Sequence, residues 1–213
     1  MPRKELVTIH SGPAAMEGMF ETPDDPTGLV LFAHGSGSSR HSPRNNYVAS
    51  RLRDAGMGTL LLDLLTPLED RQAENRFNIP LLTHRLRDAA AWLRLNSTPV
   101  GARVGLFGAS TGAAAALQLA ADDAGIAAVV SRGGRPDLAG HPALAAVSSP
   151  TLLIVGGNDD VVIGLNRRAY DELHCEKDLV IVPGATHLFE EAGALERVAD
   201  FAVGWFSRHF PTG

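Results

Sequence analysis

The sequence predicts an α/β fold, a mostly parallel central sheet with helices on both faces. Two observations predict it. Short apolar runs alternate with longer segments of helical period along the chain, the pattern of strands joined by crossover helices. The runs also give way to glycine-bearing loops, as in "LFAHGSGSS", "LFGASTG", "LLIVGGNDD" and "LVIVPGATH", and open parallel sheets build their sites at such strand ends.

In chain order, Leu6–Ile9 and Met16–Phe20, parted by "HSGPAA", read as an antiparallel hairpin at one edge of the sheet. "DDPTG" is an exposed loop, and Leu29–Ala33 opens the parallel set. Tyr47, Val48 and Leu52 mark a helix that stops at Gly56. Thr59–Leu62 is the next strand, and "LTPLEDRQAENR" reads as an exposed loop. Leu82, Leu86, Ala89 and Leu93 recur at spacings of four, three and four, an apolar stripe on a helix that ends before Pro99. Val104–Phe107 is a strand, and "TGAAAALQLAA" supplies an alanine-rich helix of high intrinsic propensity. Ala127–Val130, Thr151–Val155 and Leu179–Val182 complete the sheet, and Val198, Phe201, Ala202 and Trp205 form the stripe of a last helix.

The 213 residues suit one domain, 1–213, with a full core. A hydrophobic fraction of 45% and a charged fraction of 20% are globular values. A net charge of −5 with scattered arginines gives no footprint for nucleic acid. No apolar run approaches a membrane span, and "MPRKELVTIH" lacks the features of a signal peptide, so a cytoplasmic protein without a membrane partner is expected. The single cysteine, Cys175, excludes an internal disulfide and any multi-cysteine metal site. No cofactor is expected, since "LFAHGSGSS" matches neither phosphate-binding glycine pattern.

The chemistry centres on "LFGASTGAAAAL", where Ser110 stands between Gly108 and Gly112 in a G-x-S-x-G pattern. A buried strand before it, a helix after it and small residues where backbone passes backbone are the features of a nucleophile elbow. The bland alternative is a serine at an ordinary helix start. A serine hydroxyl needs a base beside it, and the base needs a third group to fix its tautomer. Past the elbow, "LLIVGGNDDVV" offers Asp159, delivered by a strand-G-x-x-D turn, while Asp160 points to solvent or caps the next helix. Asp63, after the "TLLL" strand, is an outside candidate for the acid. "LVIVPGATHLF" offers His187 on a glycine-containing loop after a strand, so the order Ser, acid, His is that of an elbow hydrolase. The oxyanion donors fall on the N–H of Thr111 and on the "HGSGSS" loop, at Ser36 with Gly35 close behind; His34 bonds the loop and is no second base.

Together "HGSGSS", "GASTG", "GGNDDVV" and "GATHLF" resemble the α/β-hydrolase fold, and within it the dienelactone-hydrolase-like family, from about Gly28 to Phe206. The resemblance implies a Ser110–His187–Asp159 triad with Ser36 and Thr111 as oxyanion donors. Dienelactone hydrolases proper carry a cysteine as nucleophile, where this chain has Ser110. What is implied is hydrolysis of small carboxylic esters through an acyl-enzyme. Thioesters or lactones would use the same triad, and a non-catalytic binding module on this fold would usually lack one of its members. An imidazole base is lost by protonation, so activity falls in mild acid. Some relatives in this branch are joined to phosphoribosyltransferase domains.

Only twenty residues separate the strands within "AVVSRGGRPDLAGHPALAAVSSPTLLIV", which leaves no room for a large lid and favours small esters. Arg132 and Arg135 lie just beyond Ala127–Val130 and would attract a carboxylate or phosphate on the substrate, or be tied to loop carbonyls or Asp137. Trp205 and Phe206 either pack inward or form a dimer contact, so monomer and homodimer both stay open.

Overall fold

The computed structural model describes residues 2–97 and 102–210. Its strands form one sheet, in the order β1 (Arg3–Ser11), β2 (Ala14–Thr22), β4 (Gly58–Leu62), β3 (Leu29–Ala33), β5 (Val104–Ala109), β6 (Ile126–Arg132), β7 (Thr151–Gly156), β8 (Lys177–Val182). β1 and β2 are the antiparallel edge hairpin, β2 meets β4 antiparallel, and every other pair is parallel. This is the α/β-hydrolase arrangement expected from the sequence.

Alternation along the strands splits the core into two layers. Val30, Phe32, Leu61, Phe107, Val130 and Ile154 face α1 (Pro43–Asp54) and α7 (Ala194–His209). Leu29, Leu31, Leu60, Leu106, Val129 and Leu153 face α3 (Ile79–Asn96), α4 (Thr111–Asp122), α5 (His141–Ala146) and α6 (Asp160–Glu172). Covered on both faces, the central strands carry uninterrupted apolar runs.

Local chemistry sets the helix ends. Pro43 opens α1 behind the Ser42 cap, whose side chain accepts from the Asn45 N–H, and Pro80 stands in the first turn of α3 behind the Asn78 cap. Pro99, the expected stop of α3, lies outside the described residues. Two expectations change. The segment read as the loop "LTPLEDRQAENR" contains the short helix α2 (Pro67–Asp70) and a 3-10 turn at Ala73–Phe77. The start of α2 is a capping box, Thr66 with Glu69, and Pro67 follows the cap. Phe201, read as part of the buried stripe of α7, is 40% exposed; Ala194, Val198, Ala199, Ala202, Trp205 and Phe206 make that face instead. The indole of Trp205 packs inward and donates to the Pro150 carbonyl at 3.3 Å.

Residues 133–150, between β6 and β7, hold only a 3-10 turn (Pro136–Ala139) and the six-residue α5. The rim of the sheet therefore carries no large lid there. No helix of the described residues is long and apolar enough to cross a membrane.

Candidate active site

At the end of β5 the chain turns sharply into α4 through Ser110, at φ 50° and ψ −121°. Among the described residues only Ser110 and Phe189 combine a side chain with positive φ, a conformation that costs about 1–3 kcal/mol and persists where the surroundings impose it. Here the 132–135 turn imposes it. The Ser110 N–H donates to the Arg132 carbonyl at 3.3 Å, and the Ser110 carbonyl accepts from the N–H groups of Ala113 at 3.1 Å and Arg135 at 3.0 Å. Although Ser110 stands at the N-cap of α4, its hydroxyl does not cap the helix. The ordinary helix-start reading of this serine thus loses its basis.

The acid and base meet across two neighbouring loops. His187 Nδ1 and Asp159 Oδ2 are 2.6 Å apart. Asp159 is the N-cap of α6, yet its side chain makes no capping bond and serves the imidazole instead. Close backbone contact makes this possible. A Cβ on Gly156 would lie 2.5 Å from the Ala185 carbonyl oxygen and 2.6 Å from that of Thr186, so only glycine lets the acid loop rest on the base loop. Asn158 ties the two together, its N–H donating to the Ala185 carbonyl at 2.9 Å and its side-chain amide to that of Gly184 at 3.0 Å.

The base loop is also held from its own side. The Thr186 hydroxyl and N–H both donate to the Glu191 carboxylate, at 2.6 and 3.1 Å. Phe189, buried at φ 55°, anchors the turn and donates its N–H to the Thr186 carbonyl. The His187 ring lies over Gly133, where a Cβ would stand 3.4 Å from Cε1. Ser110 and His187 therefore border the same turn. Among the described residues no hydrogen bond joins the Ser110 hydroxyl to His187; such contacts often tighten only when substrate is bound.

The loop after β3 closes the other side of Ser110. His34 is buried, bonding the Gly35 carbonyl through Nδ1 at 2.9 Å and accepting the Leu64 N–H at Nε2. Desolvation lowers its pKa, partly opposed by the bond to Gly35, and these partners require the neutral ring. The Ser36 N–H, expected as an oxyanion donor, donates to Thr111 Oγ1 at 3.0 Å and is engaged within the protein. Gly35 packs against the serine, its Cβ position 3.0 Å from Ser110 Cβ and 3.7 Å from Oγ. Thr111, at the start of α4, is buried.

Asp63, the outside candidate for the acid, receives the Arg40 N–H at 2.6 Å and pairs with the Arg40 guanidinium. Asp160 is exposed at the start of α6. Arg135 forms a two-bond fork with Asp137, at 2.8 and 2.7 Å, so it is tied to its own loop. Arg132 is buried and has no such partner among the described residues. The sequence reading missed Asn158 and Glu191; their signal was proximity, one beside the acid and the other four residues after the base. A cavity of ≈ 380 Å³ opens beside the β3 loop, bordered by His34, Arg40, Asp63, Thr66 and Asp70. Among the described residues no cluster of three or more His, Cys, Asp or Glu side chains is gathered to hold a metal ion.

Comparison with known proteins agrees with this architecture. The profile of the dienelactone hydrolase family matches residues 16–202. A crystal structure of a dienelactone hydrolase from Anabaena variabilis is 50% identical, with a TM-score of 0.92 over 98% of both chains. Est1E from Butyrivibrio proteoclasticus, 14% identical, shares the fold with a TM-score of 0.82 over 96% of this chain and 98% of its own. A curated Mycobacterium tuberculosis protein named "Putative phosphoribosyl transferase" is 55% identical over 208 residues, 97% of this chain and 47% of the relative. The chain thus spans about half the length of the curated relatives it matches.

Proposed function

Because the chain belongs to the dienelactone hydrolase family, we propose that it is a serine hydrolase of small carboxylic esters, with Ser110 as nucleophile, His187 as base and Asp159 as the group that orients the base. The observation that carries this reading is the forced backbone of Ser110 beside a turn overlain by His187, whose far nitrogen is held by Asp159 at 2.6 Å. Strain at a non-glycine residue is retained where function requires it. With Nδ1 held by the carboxylate, Nε2 is the nitrogen free to take the Ser110 proton as Oγ attacks the ester carbonyl. The tetrahedral oxyanion is received by the N–H groups of Thr111 and Gly35. His187 then returns the proton to the leaving alcohol, and water releases the acyl group by the same steps. The shortness of the 133–150 segment supports small substrates. The transferase named for the longer relatives we assign to the half of those proteins that this chain does not span.

Labelling with a fluorophosphonate, alongside p-nitrophenyl esters of graded chain length, tests the reading. The expected result is stoichiometric modification of Ser110 and hydrolysis fastest on the short esters. An unlabelled, folded protein would remove it and leave a binding role. Asp159→Asn should lower kcat by about 10⁴-fold with little change in KM, because the imidazole loses its tautomer rather than the site its substrate contacts. A loss below about tenfold in a steady-state assay would take Asp159 out of the relay.

A further inference from the structure

Arg132 ends β6 immediately behind the nucleophile. Its side chain continues the face of Ala128 and Val130 toward α1. There the residue is only 8% exposed, and its guanidinium reaches a single polar partner, Asn45 Oδ1, at 3.4 Å from Nη2. Nε and Nη1 are buried without any hydrogen-bond partner, and no ion pair to Arg132 is present among the described residues. The nearest opposing element makes matters worse. Arg44, in the first turn of α1, is a second cation beside it and has a buried, unpartnered Nε of its own. Burial, with the Arg44 charge adding to it, pulls Arg132 down to about 10, still protonated at neutral pH.

An unpaired buried cation is destabilising by several kcal/mol, and a like charge beside it adds to that. No carboxylate of the first turn of α1 offsets it, since that turn contains no acidic residue. Among the described residues the carboxylate paired with Arg44 is that of Glu190, three residues past His187, which holds Arg44 Nη1 at 3.1 Å but is itself 64% exposed. An anion from outside would supply the missing partner. Its shape follows from the donors. Unpartnered nitrogens on two guanidiniums from different elements suit a group with three terminal oxygens and close to two charges better than a planar carboxylate, which one arginine fork satisfies alone.

We propose that Arg132 and Arg44 form a phosphate subsite beside Ser110, which receives a phosphomonoester group carried by the ester substrate and opens when Glu190 releases Arg44. The catalytic meaning of the subsite rests on the serine-hydrolase reading above; the binding itself does not.

Isothermal titration of the intact protein with inorganic phosphate, and separately with acetate, tests it. Phosphate is expected to bind at one site per chain and acetate at least about tenfold more weakly. Glu190→Gln, which removes the competing carboxylate, should tighten phosphate by about tenfold, and Arg44→Met should weaken it by about tenfold, the worth of one charge-assisted hydrogen bond. Arg132→Met should abolish binding; Arg132→Lys, which keeps a charge in the same place, should bind about tenfold more weakly than the native protein and serves if the methionine variant does not fold. Acetate binding as tightly as phosphate, Glu190→Gln leaving the affinity unchanged, or no phosphate heat at all would each overturn the assignment. Fluorophosphonate labelling of the same sample separates the two readings: labelled protein that binds no phosphate loses only the subsite, and unlabelled protein that binds it loses only the hydrolase.

Discussion

Ser110→Gly should give a protein that is inactive and yet more stable than the native one. The activity falls because the attacking oxygen is gone; removal of such a nucleophile lowers kcat by at least about 10⁴-fold and leaves what the oxyanion donors and binding supply. The stability rises because Ser110 occupies φ 50°, ψ −121°, where a Cβ is strained by about 1–3 kcal/mol. Glycine removes that strain and gives back about 0.5–1 kcal/mol in unfolded-chain entropy. The net gain of roughly 1 kcal/mol corresponds to a Tm about 2–4 °C higher for a chain of this size. Ser110→Ala separates the two effects: equally inactive, it keeps the Cβ and so should melt close to the native protein and below Ser110→Gly. Calorimetry on the three proteins with a p-nitrophenyl acetate assay reads both quantities. A glycine variant that melts lower than the native protein would mean that the turn is not strained, and one that still hydrolyses the ester would move the nucleophile elsewhere.

Such a trade between strain and function was legible in "GASTG", because the pattern specifies a tight corner whose side chain must occupy an unfavourable conformation. Strand positions were equally legible, since a sheet covered on both faces writes its central strands as short apolar runs; Leu29–Ala33 is read with the bounds the structure gives it. The hairpin at the edge followed from the turn residues between two apolar stretches. Short elements escaped for a physical reason. α2 spans four residues with none buried, so it has no apolar stripe to reveal a period, and its only trace in the sequence is the cap pattern "TPLE". Phe201 was misplaced because spacing fixes a helical stripe only to within its edges, and which edge is covered depends on the neighbouring helix.

The site shows a sharper boundary of the same kind. Ser110, Asp159 and His187 could be proposed from sequence because each stands at a strand end with a characteristic turn. The engagement of the Ser36 N–H could not be read, because a side chain 75 residues away, Thr111 Oγ1, takes it, and no local pattern records such a partner. The difference between Arg132 and Arg135 is also non-local. The two residues share one loop in sequence, yet one finds Asp137 within two positions and the other points toward α1, where among the described residues it has no ion-pair partner and reaches only Asn45.

Gly112 gives the second large effect, and it joins the fold to the chemistry. Helix α4 crosses the end of β3 so closely that a Cβ on Gly112 would lie 2.2 Å from the Ala33 carbonyl oxygen and 2.6 Å from that of His34. Both obstacles are backbone, so no rotamer change relieves the clash, and α4 and the β3 loop must separate. Gly112→Ala should therefore destabilise by about 3 kcal/mol, the upper part of the range for overpacking, which lowers Tm by roughly 6–12 °C. Separation also stretches the Ser36 N–H to Thr111 Oγ1 bond and shifts the Thr111 N–H away from Gly35, so ester hydrolysis should fall by about 10²–10³-fold, as when an oxyanion donor is lost. The same exchange at Gly204 is the control. That residue lies within α7 with nothing within 4 Å of its Cβ position, and there alanine should stabilise by about 0.5–1 kcal/mol through helix propensity and leave hydrolysis unaltered. Opposite signs of the two alanine substitutions on Tm, with a rate loss confined to Gly112, are the expected pattern. A Gly112→Ala protein with native Tm and rate would show that α4 does not approach the β3 loop so closely, and the shared corner of nucleophile and oxyanion donors would go with it.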